Sequence, residues 1–308
     1  MEYAHSIYLT GRSKDDCSFL PPQIASNIES LKRHHPDFSH SLYSDETLRE
    51  VIKTKFDNDV LHAYDKLIPL AYKADLGRYC LLYEYGGIYS DVSINFYQSF
   101  TADMLKNRSI FLFRDAFSHA PWIVSNALLY AKKNLPLFEY VINKVVEHAR
   151  YNYYGHNPLC PTGPNLLGQA VAQLLDMKEF LTGDVQKINK TPSTHSFVYL
   201  FPDGEVFAVR VKHGAGLSSL GSSHNDNYND HYDRKNIYRS IDFGLVKSKD
   251  NDSDNPNLLK SQRVFSLPES ILLDMQSQLV ELKALTNSKS WRYTSPFRMI
   301  LRKIRDLK

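Results

Sequence analysis

The sequence predicts an α/β domain on an open, mostly parallel, Rossmann-like sheet, followed by a C-terminal helical tail. Three observations predict it. Short apolar strands alternate with amphipathic helices over the first 55 residues. A long helical pattern then runs into Gly86-Gly87 and a short apolar strand. Finally, a polar, turn-rich stretch, residues 247–262, separates residues 1–246 from a helical segment, 263–308.

The elements follow in order. Ser6 to Leu9 reads as a first strand ending at a Gly11 turn. Pro22 to Arg33 is helical, with Ile24, Ile28 and Leu31 on one face. Phe38 to Tyr43 is a second strand, and Asp45 to Lys55 a helix with Asp45 as its N-cap. Pro69 to Tyr85 is the clearest helix: Leu70, Ala74, Gly77, Leu81 and Tyr85 recur at helical spacing, and Pro69 stands where the first turn needs no N–H. Ile88 to Ser90 is a short strand, and Asp91 falls at its carboxyl end, where ligand crevices of open α/β sheets lie. Ile110 to Phe113 reads as a strand, and Ser125 to Lys133 and Leu137 to Arg150 as helices. A Pro/Gly loop, Asn157 to Pro164, leads into a helix from Asn165 to Leu175. Glu205 to Val211 is a strand after the Pro202-Asp203-Gly204 turn. His224 to His231 lacks ordered metal spacing and reads as a loop. Ile271 to Leu285 carries an apolar stripe too short to specify a coiled coil.

Composition narrows the function classes. The chain has 308 residues, 43% hydrophobic and 23% charged, enough for a sizeable core. Its net charge is +3, but residues 289–308 hold seven basic residues and one acid, a net of +6, so the body is at −3. A mildly acidic body argues against nucleic-acid binding. The basic tail, with Trp291, Phe297, Met299, Ile300, Leu301, Ile304 and Leu307 as apolar anchors, has the profile of an interfacial helix on an anionic membrane. Cys17, Cys80 and Cys160 form no CxxC pair and suit a reducing compartment. No leader pattern opens the chain and no apolar run reaches eighteen residues, so the expected location is cytoplasmic, peripheral on the inner membrane face. Twenty tyrosines, each an apolar ring with a polar tip, suit a polyol-binding cleft as well as half-buried packing.

The densest pattern is Ala71-x-x-Ala74-Asp75-x-x-Arg78-Tyr79-x-x-Leu82, then Gly86-Gly87-Ile88-Tyr89-Ser90-Asp91-Val92-Ser93. Asp75 and Arg78 share a helix face, and Asp91 follows the strand. This pattern resembles glycosyltransferase family 32, which includes capsule and lipopolysaccharide sugar transferases and fungal mannosyltransferases and is related to the catalytic domains of clostridial glucosylating toxins. Ala4-His5-Ser6-Ile7-Tyr8, His35-Pro36-Asp37, Ser125-Asn126, Thr162-Gly163-Pro164 and Asn227-Tyr228-Asn229 look like further landmarks, so the resemblance covers roughly residues 1–246.

The resemblance implies a GT-A-type fold and a retaining transfer of a hexose from a nucleotide-diphosphate sugar, UDP ahead of GDP, to a surface polysaccharide or lipid-linked glycan. Such a transfer breaks an anomeric carbon–oxygen bond, so the departing diphosphate needs a divalent cation or basic groups. Carried over, Asp75 and Arg78 hold donor hydroxyls, and Asp91 is the first acid of a DXD motif facing an Mn²⁺ or Mg²⁺ ion. Tyr8, Asn126 and Gly163 fall on the donor side. Ser93 replaces the second acid: a hydroxyl can ligate a hard cation but brings no charge. His213 or Asn227 is then the expected completing ligand. Two rivals remain: an inactive relative that binds glycan or scaffolds synthesis, which Ser93 motivates, and a toxin-like enzyme acting on a host protein.

Overall fold

A computed structural model describes residues 2–10, 20–106, 108–115, 123–174, 180–191, 194–211, 228–241 and 243. These lie in one compact unit, Met1–Leu245. The polar stretch 247–262, the stripe 271–285 and the basic segment 289–308 lie outside the described residues, as do Gly11, Cys17, His213 and Asn227.

The described chain is α/β, as expected. Its elements run β1 (Glu2–Ile7), α1 (Pro22–His34), β2 (Phe38–Tyr43), α2 (Asp45–Lys55), α3 (Asn58–Lys66), α4 (Leu70–Tyr85), β3 (Gly87–Ser90), β4 (Ile94–Phe96) and α5 (Ala102–Leu105). There follow β5 (Ile110–Asp115), β6 (Val124–Ala131), α6 (Pro136–Arg150), α7 (Pro164–Leu174), β7 (Phe180–Thr191), β8 (Thr194–Leu200), β9 (Val206–Val211) and α8 (Tyr228–Asp233). One nine-stranded sheet runs β2-β1-β3-β6-β5-β7-β8-β9-β4. Parallel ladders join β1 to β2 and β3, and β5 to β7. The other ladders are antiparallel.

Several boundaries need correction. The first strand is Glu2–Ile7 rather than Ser6–Leu9; it pairs with β2 from Glu2 opposite Phe38 to Ile7 opposite Tyr43. The cap of α2 is Ser44, not Asp45: the Ser44 hydroxyl accepts from the Thr47 N–H and the Thr47 hydroxyl accepts from the Ser44 N–H, a reciprocal capping box. Asp45 sits in the first turn, where its charge favours the helix dipole. The largest correction concerns Ser125 to Lys133, expected as a helix: Val124–Ala131 forms strand β6 instead. All eight residues of β6 are buried, because it lies between β3 and β5 with both faces covered. That burial erases the alternation that marks a half-exposed strand. His231, expected in a loop, lies in α8.

The core has two layers, one on each face of the sheet. Strand β5 alternates between them: Ile110 and Leu112 join the cluster of Leu76, Leu81, Phe138 and Val145 from α4 and α6. Phe111 and Phe113 join an aromatic cluster with Phe96, Phe100, Phe201 and Phe207. At its centre the Phe100 and Phe207 ring centroids are 4.5 Å apart. His35 belongs to this layer, its Nδ1 donating to the Leu31 carbonyl and its Nε2 accepting from the Phe100 N–H. Burial lowers its pKa to about 4, so the ring is neutral in that pairing.

Candidate functional site

Helix α4 is buried nearly all round, so its two charged residues facing the sheet must be paired. Gly86 (φ 67) ends the helix. Gly87 (φ 92) starts β3 so close to β1 that a Cβ there would lie 2.0 Å from the Tyr3 carbonyl oxygen. Only glycine permits both the backbone angle and the approach. The consequence is that Asp91, directly after β3, returns beside α4, with its N–H on the Ala127 carbonyl of β6 at 2.8 Å.

Asp75 and Arg78 form a buried ion pair, Arg78 Nη2 to Asp75 Oδ1 at 3.2 Å. Asp75 also accepts from Asn126 Nδ2 and from the Thr162 hydroxyl, each at 2.8 Å. Burial nevertheless pushes its pKa up, against the opposing pull of Arg78. Arg78 spends its fork on protein. It donates to the carbonyls of Ala74 (3.1 Å) and Asn126 (2.6 Å), lies 3.3 Å from Asp91 Oδ1, and its guanidinium sits 4.7 Å from the Tyr89 ring centroid. Burial disfavours its charge, but Tyr89, Asp91 and Asp75 outweigh that, and its pKa is raised.

Asp91 is more heavily engaged than the sequence indicates. The Tyr89 hydroxyl donates to Oδ1 at 2.9 Å. Arg210 of β9 donates from Nη2 to Oδ2 at 2.7 Å and from Nε to the Ser93 hydroxyl at 3.0 Å. One guanidinium therefore bridges the two positions where the resemblance places a cation. Burial opposes the Arg210 charge and Asp91 sustains it, leaving its pKa raised. A dication on those oxygens would compete with this bridge. At ~4 Å two unit charges repel by about 4 kcal/mol at an effective dielectric near 20, and a dication doubles that. Among the described residues no three His, Cys, Asp or Glu side chains are grouped to hold a metal. The described donor set thus does not fit Mn²⁺ or Mg²⁺ as it stands.

These groups face one pocket of about 410 Å³. Every donor-side position named from the sequence lines it: Tyr8, Asp75, Arg78, Asp91, Ser93, Asn126 and Gly163. Gly163 is close-packed, since a Cβ there would meet the Leu159 carbonyl at 3.1 Å and Asp75 Oδ2 at 3.4 Å. Asn126 reaches the pocket from a strand rather than a helix start, and Ser125 hydrogen-bonds the Tyr199 hydroxyl at 3.1 Å. Tyr228 at the start of α8 also lines the pocket. Arg210 is the residue that sequence reasoning missed. Its only signal was a lone charge within the apolar strand Val206–Val211.

Residues 21–112 match the family described as a glycosyltransferase sugar-binding region containing DXD motif. That stretch holds Asp75, Arg78, Asp91 and Ser93. The chain is similar to inositol phosphoceramide mannosyltransferase 3 of Schizosaccharomyces pombe, 32% identical over 135 residues, which is 44% of this chain and 36% of that protein. It is also similar to an uncharacterized glycosyltransferase of Acanthamoeba polyphaga mimivirus, 25% identical over 153 residues, 46% of this chain and 53% of that protein. The chain therefore spans about half or less of the length of these curated relatives. Among solved structures, the PaToxG glycosyltransferase is similar at 17% identity with a TM-score of 0.42, covering 56% of this chain and 69% of that one.

Proposed function

We propose that this chain is a glycosyltransferase that moves a hexose from a nucleoside-diphosphate sugar to a glycan or lipid-linked acceptor. The observation that carries the reading is the convergence of Asp75 and Arg78 from α4, Asp91 from the turn after β3 and Asn126 from β6 on one pocket. Buried carboxylate and guanidinium groups in such a pocket suit the hydroxyls and diphosphate of a donor. The match of residues 21–112 to a DXD sugar-binding region supports the same reading. A UDP-hexose donor and retention of anomeric configuration follow from the family resemblance. In that scheme the acceptor hydroxyl attacks from the face the diphosphate leaves, and its proton passes to a diphosphate oxygen. The mannosyltransferase relative, named for inositol phosphoceramide, favours a lipid-linked acceptor here. The basic segment 289–308 is proposed to hold the chain on an anionic membrane surface, which flotation with anionic and neutral vesicles tests.

A donor panel tests the central claim. UDP-, GDP- and CMP-sugars are screened for hydrolysis and thermal stabilisation with Mn²⁺, Mg²⁺ or EDTA, beside Asp91→Asn and Asp75→Asn. Turnover of one donor, lost in the variants, is the expected result. A folded chain that binds no donor under any condition overturns the reading. A second reading, a glycan-binding relative without turnover, is favoured by one observation: Asp91 is already held by Arg78, Arg210 and Tyr89. Donor binding without hydrolysis or transfer to any acceptor selects it.

A further inference from the structure

We infer that Arg210, rather than a divalent cation, receives the diphosphate of the donor. The inference rests on the donor reading above and deepens it. Asp91 and Ser93 are the pair on which a cation would be expected, and the Arg210 guanidinium spans both, at 2.7 and 3.0 Å. Ser93 is the reason the arrangement is stable. A hydroxyl accepts from Nε without adding a second negative charge, so the pair carries one charge and balances one guanidinium.

Arg210 is also the cation best placed to act. Arg78 is committed to two carbonyls and two carboxylates and is 6% exposed at its side chain. Arg210 spends Nε and one Nη2 donor on Asp91 and Ser93, is steadied by the Tyr199 hydroxyl, and at 22% exposure faces the pocket. A planar fork with donors to spare is suited to two oxygens of a diphosphate. In the transfer, the bond between the anomeric carbon and the diphosphate oxygen breaks and its electron pair leaves with the diphosphate. The acceptor oxygen bonds to the anomeric carbon, and its proton ends on the diphosphate. Arg210 exchanges no proton; its N–H groups donate to the oxygens on which charge grows. Asp91 is then a positioning residue that holds the guanidinium in place.

The experiment is calorimetric titration of the full chain with UDP and with GDP, in EDTA and in excess Mn²⁺, with Mn²⁺ bound to protein followed by EPR. The expected result is that the accepted nucleotide binds within about twofold in the two conditions. Arg210→Ala should weaken it at least tenfold, and Arg210→Lys should recover part of that loss. Thermal midpoints report whether the variants are folded, and if Arg210→Ala is not, the wild-type comparison and Arg210→Lys decide. Binding only with Mn²⁺, with the ion immobilised in the ternary complex, overturns the inference and leaves the donor reading standing. So does a folded Arg210→Ala that binds like the wild type. No binding of either nucleotide in either condition overturns both.

Discussion

Replacing Arg78 by Leu removes a cation that touches two carboxylates at once, 3.2 Å from Asp75 and 3.3 Å from Asp91. Asp91 retains Arg210, but Asp75 is left buried with only the neutral donors Asn126 and Thr162. Removing one partner of a buried pair costs about 3–5 kcal/mol, and the orphaned Asn126 carbonyl acts in the same direction. With a urea slope of about 3 kcal/mol/M, the unfolding midpoint should fall by roughly 1–1.7 M. The cause is tested by adding Asp75→Asn. An asparagine there still accepts from Asn126, and its amide can donate to the Thr162 oxygen, so the stranded charge disappears without a new orphan. The double variant should therefore be no less stable than Arg78→Leu alone, a coupling of about 1–3 kcal/mol in the cycle. Simple addition of the two losses would refute the argument that the cost lies in an unpaired carboxylate.

Further expectations follow from the same contacts. Gly87→Ala combines a positive φ with a backbone clash against Tyr3. Strain of about 1–2 kcal/mol and overpacking of about 1–3 kcal/mol should lower Tm by roughly 4–20 °C; a shift under about 2 °C contradicts it. Asn126→Ala removes the amide donor to Asp75, worth about 1–3 kcal/mol, which urea denaturation measures, and donor hydrolysis should fall with it. The third concerns pH. His5, His35 and His40 are lowered to about 4, chiefly by burial, while the unfolded chain takes up those protons near 6.5. The unfolded state thus binds more protons between these values, so stability should fall as pH drops from about 6.5 to about 4. Asp75, raised by burial, works in the opposite sense, since the folded state holds its proton longer as pH rises. Asp75→Asn should therefore steepen the acid side of the profile seen in urea midpoints between pH 6.5 and about 4, and a flat wild-type profile would count against the histidine argument.

The legible parts of the chain are those where local physics matches the final environment. Helix α4 announces itself through spacing and its Gly-Gly stop, and Asp75, Arg78 and Asp91 are brought into one pocket by that run of sequence alone. Strand β6 was illegible because burial on both faces leaves Ala127 to Ala131 uniformly apolar, which periodicity cannot tell from a buried helix. Strands β7 and β8 pair mainly with each other and with β5 and β9, and their polar residues hid them. Arg210 was missed for a different reason. Its strand was foreseen, but its partners Asp91 and Ser93 are 119 and 117 residues away, and only the β4–β9 ladder, which sets Ile94 opposite Arg210, brings them together.

The pocket is assembled from distant parts of the chain. Asp75, Arg78, Asp91 and Ser93 come from a stretch of fewer than twenty-five residues, whereas the remaining charged group, Arg210, and Asn126, Gly163 and Tyr228 arrive from much later elements. A fragment ending after β5 would carry the recognisable motif but only half a cleft. Conversely, exchanging the first turn of α8, which carries Tyr228, would reshape what fits, whereas the loop from Pro158 to Pro164 also gives Asp75 its Thr162 donor and is tied to the charged cluster. The architecture thus ties the ion network to late elements: a change at the start of α8 alters the cleft without editing the motif, while a change in β9 reaches the charges themselves.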